Sequence, residues 1–360
     1  MGTRILVLGD HAVGRHLGAA LATDPAIECV IATREPDQVQ AFADHIGAGV
    51  VAMDIADSAS LGRALDGVYA VINTVGPFVP GSYPVAQRCA ACGVHYVDLA
   101  SASRYVAGVS TLNRRARTTG SLVVAGATVV PAVSGALVDY LAREFDRVSE
   151  IHTAIAPPDN RARWFTRARA VHALAGRPMR LKQRGHWRDT YGWSEPERVD
   201  FPPPVGRRRV YLCDVVDLTL FPQRYGAQTV TFRAGLARPL LNYGMAILGR
   251  LSRKHHRRVS KEAQDAQTTN GGLNELLENT KGIRVLVRGK RDGQEITRTV
   301  SLIGRDDSAM AIACSPVIAL VRAWVREGIT DPGARPCIDL VNLEAIKTAL
   351  LGNDIVLVRN

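Results

Sequence analysis

Over its first 125 residues the chain alternates short apolar runs with helical stretches, and few architectures accept that rhythm. Arg4–Leu8, Cys29–Thr33, Gly49–Met53, Tyr69–Asn73, His95–Asp98 and Ser121–Ala125 read as strands, most of them rich in Val, Ile and Leu. Between them His11–Thr23, Pro36–His45, Ser58–Leu65, Tyr83–Cys92 and Val106–Thr119 read as helices. A strand without polar alternation is buried on both faces, and crossover helices supply the cover. The pattern therefore predicts an α/β fold with a doubly wound parallel sheet.

Strand one runs into Gly9-Asp10-His11-Ala12-Val13-Gly14, the six positions of a Gly-x-Gly-x-x-Gly turn before a helix. In that turn the first glycine makes the bend, the second lets backbone approach pyrophosphate, and the third lets helix and strand pack closely. Gly9 and Gly14 fill the first and third places, and His11 stands in the second. The unit is therefore expected to be Rossmann-type, with one fingerprint position altered. A histidine there either crowds the pyrophosphate or, if charged, pairs with it.

Strand two ends in Thr33-Arg34, where an NAD site usually carries an acid for the ribose diol. Arg34 is the expected partner of a 2′-phosphate, which favours NADP, with NAD as the alternative; pairing with Glu35 or Asp37 is its other reading. Strand four leaves the sheet through Asn73-Thr74-Val75-Gly76-Pro77-Phe78, a turn at the carboxyl edge where doubly wound sheets bind ligands. Asp54, after strand three, is expected to cap a helix or approach the adenine.

Beyond about residue 150 the texture changes. Pro157-Pro158-Asp159-Asn160 breaks the alternation, arginine is dense from Arg161 to Arg209, and Phe201-Pro202-Pro203-Pro204 is a rigid extended segment. Strand-like runs follow at Arg209–Cys213 and Gln228–Phe232, and Ile283–Arg288 with Glu295–Ile303 read as a hairpin across Gly289–Gly293. The length of 360 residues suits more than one core. The expected division is a dinucleotide-binding domain over 1–130, an α+β domain on a mostly antiparallel sheet over 131–315, and a helical segment over 316–360 that packs back on the first domain.

The net charge of +11 admits nucleic acid, a membrane surface or an anionic small ligand. No nucleic-acid-binding module accompanies the charge, so that partner is not expected. Leu236–Arg258 is amphipathic: Leu240, Leu241, Met245, Ile247, Leu248 and Leu251 precede Arg250, Arg253, Lys254, Arg257 and Arg258. It reads either as a core-packing helix with a solvated basic end or as a peripheral membrane contact suited to a lipid-like substrate. No apolar run is expected to reach the roughly 18 residues of a spanning helix. No apolar leader follows Met1, and the six cysteines form no metal pattern; Cys89 and Cys92 are one CxxC inside a helix. A cytoplasmic protein with free thiols and no metal is expected.

Hydride chemistry needs a group to move a proton. Asp98 and Tyr96 share a strand face near its carboxyl end and are the first candidates, each with a structural role as its alternative. His95 has a suitable intrinsic pKa but sits at the strand start. In the second half Trp164, His172, His186, Trp187, Tyr191 and Trp193 lie among arginines, a surface that can close over an anionic substrate, face solvent or form a dimer contact.

Together, Val71–Phe78, the Gly81-Ser82-Tyr83-Pro84-Val85 helix start, the His95-Tyr96-Val97-Asp98 strand and Gly126-Ala127-Thr128 with Pro131-Ala132-Val133-Ser134 resemble the NADP-binding domain of the saccharopine dehydrogenase family. Val199-Asp200-Phe201-Pro202, Tyr211-Leu212-Cys213-Asp214-Val215 and Gly333-Ala334-Arg335-Pro336-Cys337 resemble a bacterial branch of its oxidoreductases. The resemblance implies two domains around a cleft, redox at a C–N bond or a related C=X bond of a small molecule, and a homodimer. After the Asp98 strand the family commonly continues Thr-Gly-Glu; here Leu99-Ala100-Ser101-Ala102 stands instead, and the acid's role does not transfer. The main alternative is a non-redox enzyme or ligand-binding protein on a Rossmann scaffold whose glycine fingerprint has degraded.

Overall fold

The computed structural model describes residues 2–157, 171, 174–256, 277, 280–305 and 308–360. Two seven-stranded sheets organise it. The first takes β1 (Thr3–Leu8), β2 (Ile27–Thr33), β3 (Gly49–Ala52), β4 (Ala70–Asn73), β5 (His95–Asp98), β6 (Leu122–Ala125) and β15 (Gly333–Pro336). Their spatial order is β15-β6-β5-β4-β1-β2-β3, and every pair is parallel. Order reverses beside β1, between the β2 and β4 sides, so a crevice opens there at the carboxyl edge.

Helices α1 (Ala12–Ala22), α2 (Pro36–Ile46), α3 (Ser58–Ala64), α4 (Pro84–Cys92), α5 (Ser103–Gly108) and α6 (Asn113–Thr119) make the crossovers. Val13, Leu17 and Leu21 of α1 recur every four residues and are buried, which fixes the helix face laid on the sheet. The expected single helix over Val106–Thr119 is instead α5, a 3₁₀ turn Val109–Leu112 and α6. At this break the Tyr83 hydroxyl donates to the Tyr105 carbonyl at 2.8 Å, in space left by Gly108, whose Cβ would lie 2.5 Å from that hydroxyl.

The second sheet has the order β10-β11-β12-β7-β13-β14-β16. It comprises β7 (Arg147–Ala156), β10 (Glu197–Asp200), β11 (Arg207–Leu212), β12 (Thr229–Ala234), β13 (Gly282–Arg291), β14 (Gln294–Gly304) and β16 (Ile355–Arg359). Only β7 with β12 is parallel; the other pairs are antiparallel. The β13–β14 hairpin closes on Asp292-Gly293, both at positive φ, the turn that matches strand twist. A separate hairpin pairs β8 (Pro178–Gln183) with β9 (His186–Tyr191). Helices α7 (Ser134–Ala142) and α8 (Asp217–Tyr225) lie against the second sheet.

Helix α9 (Pro239–His256) follows β12, α10 (Ala309–Glu327) follows β14, and α11 (Leu343–Ala349) precedes β16. The 19-residue α10 corrects one expectation: by length and a mean hydropathy of 1.5 it could cross a membrane. It is a core helix in this fold, since 72% of that window is buried. Its far end is tied to the first sheet's layer, where Arg326 meets Asp24 at 3.0 Å, Arg322 donates to the Ala20 carbonyl at 2.8 Å and Tyr69 donates to the Trp324 carbonyl at 3.0 Å. Chain from beyond residue 316 thus contributes one helix and β15 to the first sheet's layer, and β16 to the second sheet. Trp164, His172, the arginines at 161, 163, 167 and 169, and residues 257–258 of the basic stretch lie outside the described residues.

Candidate cofactor-binding site

At the carboxyl edge of the first sheet lies a cleft of about 520 Å³, lined by Gly9, Asp10, His11, Ala32, Thr33, Arg34, Met53, Asp54, Ile55, Thr74, Val75 and Gly76. The ends of β1, β2, β3 and β4 supply these residues. Gly9 holds φ +103°, and a Cβ on it would lie 2.7 Å from Thr74 Oγ1 and 2.8 Å from a Val75 methyl. A Cβ on Gly14 would sit 2.0 Å from the Gly9 carbonyl oxygen. The two glycines are thus demanded by geometry, one by the bend and one by the close approach of helix to strand.

His11 occupies the third place in the turn and the N-cap of α1, at φ −75° and ψ 176°, extended backbone open to any residue. Its ring nitrogen Nδ1 lies where a Gly9 Cβ would be only 3.0 Å away, so the ring uses the space that Gly9 leaves. Burial lowers its pKa below the ordinary imidazole value, and Asp10 acts in the opposite direction. The His11 side chain does not cap α1 and no acid stands in its first turn. The free N–H groups and positive end of this 11-residue helix therefore face the cleft, the arrangement that binds phosphate. Ala12 is exposed at this helix start, while Val13 is buried beneath it.

Thr33 and Arg34 sit as the sequence predicts, at the end of β2. Arg34 is exposed and has no ion pair or hydrogen bond among the described residues, so neither Glu35 nor Asp37 engages it. Thr33 Oγ1 donates to Asp10 Oδ2 at 3.2 Å and accepts the Glu35 N–H at 3.3 Å. Asp10 was missed as a lining residue. Its signal was only its place between two fingerprint positions, and its partner stands 23 residues away. Asp54 lines the cleft and accepts the Ala56 N–H at 2.9 Å, whereas Asp57 caps α3 by accepting from Ala59.

The Asn73–Phe78 turn is held from below. Asn73 Nδ2 donates to the Tyr96 hydroxyl at 3.1 Å, its Oδ1 accepts the Val75 N–H at 3.0 Å, and Thr74 Oγ1 donates to the Leu8 carbonyl at 2.5 Å. Gly76 and Pro77 are exposed; Phe78 is buried, 5.3 Å from the Tyr105 ring.

Asp98 and Tyr96 are brought together but not into the cleft lining. Both are 0% exposed. Asp98 accepts from the Tyr96 hydroxyl at 3.1 Å, the Ala100 N–H at 3.0 Å and the Gly126 N–H at 2.9 Å, and from the Tyr105 hydroxyl. Burial raises its pKa to about 6 despite these donors. The Asp98 carbonyl also accepts the Ala127 N–H at 2.8 Å. One carboxylate thus fastens β5 to the turn after β6 and, through Tyr96 and Asn73, to the β4 turn.

His95 does not join this site. It begins β5 while Asp98 ends it, three residues or about 10 Å along the strand. Its Nδ1 accepts the Leu122 N–H at 3.0 Å and its ring lies 4.7 Å from Tyr69 and 6.0 Å from Trp324. Burial lowers its pKa to about 4, so it is a neutral histidine in the protein interior. Among the described residues no group of three or more His, Cys, Asp or Glu side chains comes together to hold a metal ion.

Residues 5–124, the span that builds the cleft, match the family model of the saccharopine dehydrogenase NADP binding domain. The first domain is thus similar to that domain over about a third of the chain. Over its whole length the chain is similar in fold to apo saccharopine dehydrogenase (L-Glu forming) from Saccharomyces cerevisiae, with a TM-score of 0.70, 17% identity and 100% of each chain covered. Weaker similarity joins it to a probable dehydrogenase from Thermotoga maritima, with TM-score 0.48, 9% identity and coverage of 97% of this chain and 93% of that one. Biliverdin reductase from Synechocystis, solved with biliverdin and NADP+, is similar at TM-score 0.41 and 12% identity, covering 97% and 96%. No curated protein matches the chain in sequence. The parallel order of the first sheet, the mostly antiparallel second sheet and the saccharopine dehydrogenase-type first domain agree with the reading of the sequence.

Proposed function

We propose that the protein is an NADP-dependent oxidoreductase that reduces a C=N or related C=X bond, or oxidises the corresponding single bond, in a small or lipid-like metabolite. The observation that carries this reading is Arg34, a cation at the end of β2 that lines the cleft and meets no acid among the described residues. A 2′-phosphate supplies the dianion such a guanidinium pairs with, and an unphosphorylated ribose does not. The cleft fits the rest of the group: Gly9 and Gly14 keep it open, and the uncapped α1 start offers N–H groups to pyrophosphate. Asp10 and Thr33 stand beside Arg34 and can orient the ribose hydroxyls.

When bound, the nicotinamide supplies a hydride donor or acceptor. The chain's own part is to bind, orient and exclude water. Arg34 fixes the adenosine end, and the Asn73–Phe78 turn forms the rim on the β4 side. Asp98 and Tyr96 are positioning residues, because they act through Asn73, Gly126 and Ala100 without lining the cleft. The carbon–nitrogen bond as the reacting group rests on the sequence resemblance of the first domain to the saccharopine dehydrogenase family. NADP specificity agrees with the name of the matched domain.

Fluorescence titration of the full chain with NADPH and NADH tests the reading. Saturable binding of NADPH, tighter than that of NADH, is expected, together with NADPH consumption when cyclic and open-chain imines are supplied. If neither nucleotide binds, the proposal is wrong. Binding without turnover on any C=X compound, with the ligand recovered unchanged, favours the non-redox alternative on the same scaffold.

A further inference from the structure

We infer that α9 docks the protein on an anionic lipid bilayer. Beyond the apolar side read from the sequence, the structure shows that this helix carries more apolar surface than the core covers. Leu241 and Met245 pack inward against the core, whereas Leu240, Ile247 and Leu251 are 86%, 62% and 71% exposed. Tyr243 and Leu248 flank them, also exposed. Positions 240, 243, 247 and 251 repeat at helical spacing, so they form one outward stripe. Five large exposed hydrophobics in a row differ from the scattered single ones of an ordinary surface.

The stripe is displayed by an anchored helix. Asn242 is buried, donates to the Leu236 carbonyl at 2.8 Å and accepts the Leu236 N–H at 3.0 Å. Trp193 donates to the Asn242 carbonyl at 3.4 Å, and a Cβ on Gly249 would lie 2.8 Å from that of Ala175. The inner face is therefore committed, while Leu240, Tyr243, Ile247 and Leu251 are left exposed.

Charge selects the occupant. Arg209 lies 4.8 Å over the Tyr243 ring, and Arg238 and Arg250 are exposed at either end of the stripe. No Asp or Glu occurs between Asp217 and Glu262, and Arg253, Lys254, Arg257 and Arg258 follow in sequence. An apolar strip with a collar of cations suits acyl chains under acidic headgroups. A second copy set against the same face would bring two basic collars together with no acid in the segment to offset them. The inference stands apart from the cofactor reading, because it is read without nucleotide.

Co-sedimentation of the full chain with vesicles tests it, using phosphatidylcholine alone and phosphatidylcholine mixed with phosphatidylglycerol. Binding to the anionic vesicles is expected to be at least about tenfold tighter and to weaken with added salt. The Ile247→Glu/Leu251→Glu double variant, altered only at exposed positions, is expected to stay in the supernatant with an unchanged melting curve. Arg250→Glu is expected to weaken binding without abolishing it. Wild-type protein left in solution with both vesicles overturns the inference, as does equal binding to both. A wild-type dimer that the double variant converts to monomer, with no vesicle binding, would assign the stripe to a second copy instead.

Discussion

The two edges of the first sheet bury titratable groups at opposite ends of one strand, and they use them differently. At the amino edge His95 accepts one backbone N–H and is enclosed by Tyr69 and Trp324. At the carboxyl edge Asp98 takes donors from β5, from the loop after it and from the turn after β6. Burial drives both toward the neutral form, down to about 4 for His95 and up to about 6 for Asp98. The amino edge is closed by α10, while the carboxyl edge opens into the cleft with Arg34 and the bare start of α1. A polar group in such a sheet therefore takes its meaning from the edge it occupies more than from its own chemistry.

The contrast breaks most sharply at Asp98. Asp98→Ala leaves two N–H groups and two hydroxyls without their acceptor, and a loss of about 4 kcal/mol in chemical denaturation is expected. Asp98→Asn keeps the shape and is expected to cost less. In that variant NADPH affinity is expected to change together with the pH dependence of turnover between pH 5 and 7; a stability loss alone would make the residue purely structural.

Gly14→Ala comes next. Its methyl meets the Gly9 carbonyl, so α1 must move off β1, at about 2–3 kcal/mol of stability. NADPH affinity is expected to fall more than about tenfold, read by the same titration. An unaltered affinity would mean that phosphate does not sit at this helix start.

The His95 end sharpens the comparison through pH. Its folded-state pKa lies below the unfolded value of 6.5, so its stabilisation is complete above pH 6.5 and is lost as pH falls toward about 4. Asp98 has the opposite sign: its folded pKa lies above 3.8, so stability rises as pH falls through about 6. Denaturant melts of His95→Gln are expected to lack about 2 kcal/mol of the loss that wild-type His95 contributes between pH 7 and 5. Cofactor affinity at pH 7 is expected to stay unchanged. A large fall in affinity would return His95 to the site.

How much could be read without coordinates differs between the same regions. The first sheet was legible because buried parallel strands read as continuous apolar runs such as Ile5–Leu8 and Ala70–Ile72. Strand β7 was not, since Arg147, Glu150 and His152 interrupt its apolar residues on a half-open face. Nor was β15, whose Gly-Ala-Arg-Pro sequence becomes a strand only by pairing with β6. In the site, Gly9, Gly14 and Arg34 followed from spacing. Asp10 did not, because its meaning depends on Thr33 across the cleft. His11 looked like a defect, yet its backbone is ordinary there and only its ring position matters.

Arg34 carries the assignment of the cleft to NADP. The ratio of NADPH to NADH affinity, measured in the wild type and in Arg34→Ala, tests it most directly. Loss of one charge-assisted phosphate contact of about 1.5–3 kcal/mol is expected to reduce the preference for NADPH roughly tenfold or more while leaving NADH affinity nearly unchanged. An equal ratio in the two proteins, or no preference in the wild type, would contradict the assignment of this cleft to NADP.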